Sequence, residues 1–374
     1  MLQGRRIVFL LGNLELGGAE RQALILARYL AGQQQAAVQV WGFNKTGPVA
    51  QICERHGLPW RVIPYPFTGT RLNRARGLVR VCAALRQTKP DILLPYTLGP
   101  NIVCGLIWRW TGARASVWNQ RDEGIVPYGS PIARWAAKRT PRFIANSAGG
   151  ARFLIEKLLV DKAKVTVIHN GIETAAPELD RRAWRERLAV NDRSFVACMV
   201  ANLHALKDHV TLLHAWQKVV NGFENNGRAP LLVLAGRHDG AYESLTALAA
   251  DLKLDGTVRF AGHVSDVSGL LGAADVSVFS SRSEGCPNGV LESMAAGLPV
   301  AGTDIEGIRE IVGPAGAQFL TPAGDADSLA GVLLKLARDP ELCAREGARN
   351  RERIRERYDA MRMCKETVDV LTRL

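Results

Sequence analysis

Two glutamates in the C-terminal half, Glu284 and Glu292, lie eight positions apart in a loop that leaves an apolar strand and enters a helix. An ionised carboxylate only accepts hydrogen bonds, so it suits the paired hydroxyl donors of a sugar and cannot coordinate a phosphate. The helix is predicted to begin at about Asn288, and the free N–H groups of its first turn can receive a diphosphate. An ordinary helix with acidic residues near its start is the alternative. The binding residues predicted in this stretch are Glu284, Cys286, Pro287, Asn288, Gly289, Val290, Leu291 and Glu292.

A pair of glycines near the N-terminus forms a second candidate site. Gly17 and Gly18 follow an apolar strand from Ile7 to Leu11 and open a helix near Gly18. Glycines at a helix start allow close backbone approach and direct free N–H groups at an anion. The spacing does not match GxGxxG, which disfavours a dinucleotide site. A tight strand-to-helix turn without a ligand is the alternative.

The elements that must position these residues alternate along the chain. Short apolar runs are separated by helical patterns, which is typical of parallel sheets covered by helices. The pattern thins after residue 171 and restarts at FVACMVA. We therefore predict an α/β protein with two Rossmann-like domains, 1–172 and 173–356, and a C-terminal helix at about 357–374 that packs back on the first. Since ligands bind at the C-terminal ends of parallel strands, two such domains are expected to face each other across a cleft.

Length and composition agree with two globular domains and exclude several other classes. The chain has 374 residues, 47% of them hydrophobic, which is enough for two cores. Seven cysteines without a CxxC pair favour reduced, mostly buried thiols over disulfides or a zinc ribbon. The apolar runs are too short to span a bilayer, and the N-terminal segment lacks a cleavage site. A cytoplasmic protein, or one bound to a membrane surface, is expected.

The two halves of the chain carry opposite net charges. Residues 1–170 contain 24 Lys and Arg against 8 Asp and Glu, whereas residues 171–374 contain 24 against 28. This asymmetry indicates an anionic partner for the first half, such as a nucleic acid, an acidic lipid surface or a phosphorylated substrate. A solvated, arginine-rich surface is the alternative. The cations of the first half include Arg71, Arg74, Arg76, Arg80, Arg86, Lys89, Arg109, Arg134, Lys138 and Arg139. Some of them are interleaved with the indole rings of Trp108, Trp110 and Trp135, as at a lipid surface.

The string EGCPNGVLE followed by AAGLPV resembles the Glu, seven residues, Glu motif of the retaining family 4 (group 1) glycosyltransferases of GT-B fold. The resemblance extends over nearly the whole chain, through GGAER, NSAGGARFL, VTVIHNGIE and VRFAGHVSDVSGLLGAADVSVFSSRSEG, in order and spacing. It implies that Glu292 holds the ribose of a nucleotide sugar, that Glu284 contacts the donor sugar, and that Gly17 and Gly18 close over the diphosphate.

One departure from the family pattern concerns the diphosphate cations. The family places an Arg, and a Lys five positions on, after the first strand of the second domain. Here Lys207 occupies the second place but Asn202 the first. His204 or Arg237 could supply the missing cation, although each is better explained as a surface residue. Lys207 could also be only a loop residue before a helix capped by Asp208. Val264 is a further predicted contact of the nucleotide sugar.

Another departure lies after the strand RASVWNQ. Many members carry there a His that assists near the transferred sugar, whereas this chain has Gln120, Arg121 and Asp122. Arg121 could stabilise a phosphate, and Asp122 or Glu123 could orient the acceptor hydroxyl. A buried Arg121–Asp122 pair that merely fixes the loop is the alternative.

A bound metal is not predicted. Asp325 and Asp327 form an Asp-x-Asp string, but they precede the helical stretch SLAGVLLKLARD and are better explained as its caps. The seven histidines include no pair four apart on a helix, and they form no ligand cluster with Cys or carboxylates. We expect neither a metal nor a cofactor.

The sequence thus predicts a metal-independent retaining glycosyltransferase that uses a nucleotide diphosphate sugar, UDP or GDP. The acceptor is predicted to be lipid-linked or another cell-surface glycan, with the protein peripheral at the inner face of the plasma membrane. The alternatives are a soluble acceptor, a nucleotide-sugar epimerase of the same fold, and a nucleic-acid-binding protein, the last disfavoured because no recognisable aromatic platform motif is present. The residues predicted to take part in catalysis are Lys207, Glu284, Arg121 and Asp122.

Overall fold

The computed structural model describes residues 2–124, 131–223 and 229–374. The chain divides into two compact units: unit 1 consists of Met1–Gly171 and Ala360–Leu374, and unit 2 of Ile172–Asp359. The charged C-terminal tail is therefore two helices with different partners. Its first helix belongs to unit 2, and only the last one, Ala360–Thr372, belongs to unit 1.

Unit 1 is built on a seven-stranded parallel sheet with the strand order β3-β2-β1-β4-β5-β6-β7. Its strands are β1 Arg6–Leu11, β2 Ala37–Phe43, β3 Trp60–Ile63, β4 Ile92–Pro95, β5 Ala115–Gln120, β6 Arg142–Ala145 and β7 Val165–Val167. Its helices are α1 Gly18–Gly32, α2 Pro48–Arg55, α3 Arg71–Thr88, α4 Leu98–Thr111, α5 Pro131–Arg139, α6 Ala148–Glu156 and α15 Ala360–Thr372.

Unit 2 repeats the architecture on a six-stranded parallel sheet with the order β10-β9-β8-β11-β12-β13. Its strands are β8 Phe195–Val200, β9 Pro230–Ala235, β10 Val258–Gly262, β11 Val276–Phe279, β12 Val300–Thr303 and β13 Leu320–Thr321. Its helices are α7 Arg181–Arg187, α8 His209–Gly222, α9 Tyr242–Asp251, α10 Val267–Ala273, α11 Asn288–Ala295, α12 Glu306–Gly316, α13 Ala326–Arg338 and α14 Pro340–Arg357.

The continuous apolar strands form these sheets because both faces are covered by helices. In β1 the side chains of Ile7, Phe9 and Leu11 enter one hydrophobic core, and those of Val8 and Leu10 enter the core on the other face. This alternation follows from the two-residue period of a strand. β8 does the same in unit 2, with alternate residues in two cores. The predicted α/β class with two Rossmann-like domains is confirmed.

The seven cysteines are all free thiols within the described residues, and five of them are buried. Burial raises the pKa of Cys198 to about 12, so its thiol stays protonated and unreactive. Within residues 2–124, 131–223 and 229–374, no helix combines the length and the apolar character that crossing a membrane requires.

Candidate functional site

The loop that follows β8 holds Lys207 next to a fixed helix start. Asp208 is the N-cap of α8 and has a left-handed backbone with φ of +48°. Its carboxylate accepts hydrogen bonds from Thr211 Oγ1 at 2.8 Å and from Arg282 Nε at 2.9 Å. Burial alone would raise the pKa of Asp208, but these hydrogen bonds hold the pKa below its usual value. The predicted cap is confirmed, and it fixes the backbone that presents Lys207.

Lys207 and Glu284 meet at the carboxyl edge of the unit 2 sheet. Lys207 Nζ donates to Glu284 Oε1 at 2.5 Å, and Ser281 Oγ donates to the same oxygen at 2.7 Å. The Lys207 side chain is 26% exposed and that of Glu284 is 11% exposed. These two residues, 77 positions apart, follow the adjacent strands β8 and β11. The structure therefore places a cation and a carboxylate in one partly desolvated pair.

Hydrogen bonds to backbone carbonyl groups connect the loop that follows β8 with the loop that follows β11. Ser280 Oγ donates to the carbonyl of Lys207 at 2.9 Å, and the N–H of Arg282 donates to the carbonyl of Leu206 at 2.9 Å. Thr303 Oγ1 donates to the carbonyl of Ser281 at 2.5 Å. These supporting side chains could not be predicted from the sequence, because a loop serine or threonine carries no signal of its partner. They fix the backbone of the loops that carry Lys207 and Glu284.

Helix α11 begins at Asn288, as predicted, directly after this loop. Its N-cap is Pro287, which supplies no side-chain hydrogen bond to the first turn of the helix. A Cβ on Gly289 would lie 2.4 Å from the carbonyl oxygen of Val200 at the end of β8, so only glycine fits there. The helix start is thereby packed against the strand that leads to Lys207.

The predicted residues of α11 take different positions. The side chains of Val290 and Leu291 are fully buried in the core and that of Cys286 is 6% exposed, so Val290 and Cys286 can reach a ligand only through their backbone. The N–H of Leu291 donates to the carbonyl of Pro287 at 3.2 Å, so the prediction that this N–H receives a ligand is wrong. Glu292 is half-buried and is the fifth residue of the helix, just past its first turn.

The residues considered for the missing second cation have partners of their own. Asn202 Oδ1 accepts from the N–H of Arg237 at 3.2 Å, and Arg237 Nε lies 3.6 Å from an oxygen of Asp239. His204 Nδ1 accepts from the N–H of Leu206 at 3.2 Å, so the imidazole caps its own loop. Val264 packs beside a hydrophobic core of unit 2. Asn202 and Arg237 thus lie together at the ends of β8 and β9.

Gly17 in unit 1 is the N-cap of α1, without a side-chain hydrogen bond, and Gly18 is the first helical residue. Gly17 has φ of −123°, an extended conformation that other residues also adopt. A Cβ there would meet only the flexible carboxylate of Glu20. Backbone strain therefore gives no reason for glycine at this position, and its predicted role at the diphosphate stays a prediction.

Arg121 and Asp122 follow β5 but do not pair with each other. Asp122 Oδ1 accepts from Gln120 Nε2 at 2.9 Å and from the N–H of Gly124 at 2.8 Å. Burial raises the pKa of this carboxyl group. Arg121 instead lies over the ring of Tyr96, with its Cζ atom 4.6 Å from the ring centroid. The buried Arg121–Asp122 pair considered from the sequence is wrong, because the carboxylate turns back onto its own loop.

The Asp-x-Asp string has structural partners. Asp325 is the N-cap of α13 and accepts from the N–H of Ser328 at 3.0 Å, which confirms the predicted cap. Asp327 forms an ion pair with Lys218 at 2.6 Å. Across the described parts of the chain, no group of three or more His, Cys, Asp or Glu residues is arranged to hold a metal ion.

Two family models match the chain in succession. Residues 16–176 match Glycosyltransferase Family 4, and residues 180–353 match Glycosyl transferases group 1. The chain belongs to the group 1 glycosyltransferases. The second match contains Lys207, Glu284 and Glu292, and the first contains Arg121.

Two curated relatives show how far the sequence similarity of this chain extends. The Escherichia coli UDP-Gal:alpha-D-GlcNAc-diphosphoundecaprenol alpha-1,3-galactosyltransferase is 29% identical over 56% of this chain and 54% of its own length. The chain thus spans about half the length of such curated relatives. The 2-deoxystreptamine N-acetyl-D-glucosaminyltransferase of Streptomyces fradiae is 26% identical over 92% of this chain and 90% of its own.

Solved structures confirm the GT-B fold. Anabaena HepE in complex with UDP and glucose superimposes with a TM-score of 0.85 over 99% of this chain and 100% of its own, at 22% identity. At this identity the likeness establishes the fold of the glycosyltransferase and leaves its substrates to be argued from the site.

Proposed function

We propose that this protein is a retaining glycosyltransferase that moves a sugar from a nucleotide diphosphate sugar, with UDP or GDP as the nucleotide, to a lipid-linked or other cell-surface glycan acceptor. The observation that carries the proposal is the Lys207–Glu284 pair beside the start of α11. A cation, a carboxylate and the N–H groups of a helix start are the three kinds of group that a sugar diphosphate needs.

The chemistry assigned to these groups follows from the charge that develops in the reaction. Breaking the anomeric bond places negative charge on the departing diphosphate, and preorganised cations and N–H groups stabilise it. Lys207 is the cation, and the first turn of α11 supplies the N–H groups. No metal is needed in this scheme. Without an assigned protein nucleophile, retention follows from attack on the face that the phosphate leaves, with a phosphate oxygen taking the acceptor proton.

Donor binding requires the Lys207–Glu284 ion pair to open. In the free protein the lysine is neutralised by Glu284, which limits the cost of keeping both charges partly out of water. A diphosphate competes for the ammonium group, and the carboxylate then accepts from the hydroxyls of the donor sugar. Glu292, one turn into α11, is assigned to the ribose. Both members of the pair, Lys207 and Glu284, thus change partner when the donor arrives.

The second diphosphate cation of the family is not replaced by Asn202, which has no charge. Its amide oxygen is held by the backbone of Arg237. Arg237 lies beside that position, at the end of the neighbouring strand β9, and carries a positive charge. We assign it as the substitute, with Asp239 released when the diphosphate binds.

Exposed side chains on unit 1 support an acceptor at an anionic membrane surface. Trp110 and Trp135 are 58% and 52% exposed, and the guanidinium of Arg139 lies 5.2 Å from both ring centroids. On α3, Leu72 and Val79 are exposed among arginines. Indole rings and cations together suit the interface of an acidic bilayer. The relative from Escherichia coli acts, by its name, on a diphosphoundecaprenol acceptor, which supports the same choice at the inner face of the plasma membrane.

A small soluble acceptor is the second candidate. It is favoured by the nearly full-length match to the enzyme named for 2-deoxystreptamine. Transfer assays that offer a lipid-linked glycan and a soluble amino sugar side by side separate the two, and product analysis without any acceptor identifies an epimerase.

A thermal-shift panel of UDP-, GDP-, ADP- and dTDP-sugars tests the donor assignment. A ligand present at a hundred times its Kd adds about 2.7 kcal/mol to the free energy of unfolding. We expect one nucleotide to raise the melting temperature clearly more than the others. If none of the four changes it, the proposed function is contradicted.

A further inference from the structure

Three loops at the carboxyl edge of the unit 1 sheet converge on Arg121. Tyr96 follows β4, Asn146 follows β6 and Asn170 follows β7. The Arg121 guanidinium lies over the Tyr96 ring at 4.6 Å, and its Nη1 is 3.4 Å from Asn170 Oδ1. Asn146 Nδ2 donates to the backbone carbonyl of Arg121 at 3.2 Å. The arginine is therefore held from three sides by side chains that carry no charge.

This arginine has no carboxylate partner in the described part of the chain. Asp122, the nearest acid in sequence, is turned toward Gln120 and Gly124. The sequence of residues 125–130, which lie outside the described residues, contains no Asp or Glu. A guanidinium is always charged, and a partly buried charge is stable only when a counter-charge or several hydrogen bonds compensate it.

Two polar atoms around Arg121 lack hydrogen-bond partners. Arg121 Nε and Asn146 Oδ1 are both buried and unsatisfied, and Asn146 as a residue is only 2% exposed. Such atoms in a native protein need an explanation, because a buried donor or acceptor without a hydrogen bond loses the stabilisation that water gave it. A ligand with an anionic group and a hydroxyl group satisfies both atoms. Its anionic group accepts from Arg121 Nε, and its hydroxyl donates to Asn146 Oδ1.

We infer that Arg121 is the receptor for an anionic group, a phosphoryl or a carboxylate, carried by a hydroxyl-bearing acceptor. The planar guanidinium fork binds either group through two parallel hydrogen bonds. The Tyr96 ring and Asn170 fix the fork, and Asn146 Oδ1 accepts from a hydroxyl of the same molecule. This inference rests on the proposed transferase function, and it narrows the acceptor to an anionic glycan or glycan phosphate.

Direct binding without a nucleotide tests the inference. The probes are N-acetylglucosamine 1-phosphate, glucuronic acid and neutral N-acetylglucosamine, titrated into the full chain and followed by calorimetry or ligand-observed NMR. We expect the wild type to bind at least one anionic probe tenfold or more tightly than the neutral sugar. The two anionic probes distinguish a phosphoryl group from a carboxylate.

Variants of matched charge separate a specific site from general attraction to the basic unit. Arg121→Gln should abolish the preference for the anionic probe, whereas Arg142→Gln should retain it, because Arg142 begins β6 at the opposite edge of the sheet. Equal losses in the two variants, or a wild type without preference, overturn the inference. If Arg121→Gln does not fold, Arg121→Lys decides: it keeps the charge but loses the fork, so the preference should drop by threefold or more, and an unchanged preference overturns the inference.

Nucleotide-sugar binding, measured on the same protein samples, distinguishes a failure of this inference from a failure of the proposed function. If the nucleotide-sugar shift persists while no variant affects probe binding, only the acceptor assignment fails. If no nucleotide sugar binds while Arg121 still selects anionic sugars, the transferase proposal fails and the anion site remains.

Discussion

At the carboxyl edge of the unit 2 sheet, Lys207 and Glu284 neutralise each other at 2.5 Å, whereas at the same edge of the unit 1 sheet Arg121 has only uncharged partners among the described residues. The sequence halves repeat this contrast, since residues 1–170 carry a net charge of +16 and residues 171–374 one of −4. One architecture thus presents two electrostatic environments. In the neutralised pair, both residues must exchange their contact with each other for contacts with a ligand. The uncompensated cation needs no such exchange and suits an anionic ligand that supplies the missing counter-charge.

The largest effect is expected at the paired edge. Lys207→Ala should lower turnover about a hundredfold or more, because its charge matters most when the leaving group develops. Steady-state kinetics with the nucleotide sugar selected by the thermal-shift panel measure this. Lys218→Ala is the matched control, since Lys218 lies in the same unit but pairs with Asp327 on the surface. Turnover within about threefold of wild type would reduce Lys207 to a loop residue.

The basic surface should show the next largest effect, and only in unit 1. Replacing Arg74, Arg76 and Arg80 of α3 with Gln should weaken binding to acidic liposomes by about a hundredfold at low salt, since each cation near the surface contributes about 1 kcal/mol. Binding should fall steeply with added salt, and nucleotide binding should persist. Co-sedimentation with acidic and neutral liposomes measures this.

The control for the surface variant lies in unit 2. Three exposed arginines of α14, Arg345, Arg355 and Arg357, can be replaced with Gln for the same change in net charge. Their loss should matter far less. Equal sedimentation with acidic and neutral liposomes would remove the membrane proposal and leave the soluble acceptor.

Glu292 distinguishes nucleotide binding from sugar binding within unit 2. Glu292→Ala should weaken binding of the nucleotide diphosphate itself by roughly ten- to a hundredfold, because an ionised acceptor of hydrogen bonds contributes about 1.5–3 kcal/mol. Calorimetry with the bare nucleotide measures the loss, and Glu243→Ala on the exposed face of α9 is the control. An unchanged affinity would contradict the ribose assignment.

The smallest effect is expected for the hydrogen bond that Ser281 donates to the Glu284 carboxylate. Ser281→Ala removes this hydrogen bond and should weaken binding of the nucleotide sugar about fivefold, as expected for about 1 kcal/mol. Binding of the bare nucleotide diphosphate should not change, because Glu284 is assigned to the sugar. Equal weakening for both ligands would show that Ser281 supports the whole loop and has no separate effect on the sugar.

The sequence predicted the features that depend on local pattern. The alternating apolar runs gave both parallel sheets, and the helix starts at Asp208 and Asn288 followed from capping residues and a Gly/Pro loop. Lys207 and Glu284 were identified as candidates through the family motif. Their contact was not predicted, since it depends on which strands become neighbours.

Side-chain directions at the edge of unit 1 could not be read from the sequence. Arg121 and Asp122 are adjacent and of opposite charge, which suggested a pair. The structure turns the carboxylate toward Gln120 and Gly124 because it can satisfy a backbone N–H there, and it leaves Arg121 to Tyr96 and Asn170. These partners come from loops 25 and 49 residues away in sequence, and no local pattern links them.

One affinity ratio tests most directly whether the edge of the unit 2 sheet that carries Lys207 and Glu284 is the diphosphate site. It is the ratio of the affinity for UDP to that for UMP, or of GDP to GMP if the panel selects guanosine. If Lys207 contacts the terminal phosphate, the wild type and Lys218→Ala should bind the diphosphate much more tightly than the monophosphate, and Lys207→Ala should bind the two almost equally. Calorimetry on the three proteins gives the ratio free of any acceptor. A ratio that Lys207→Ala leaves unchanged would contradict the account.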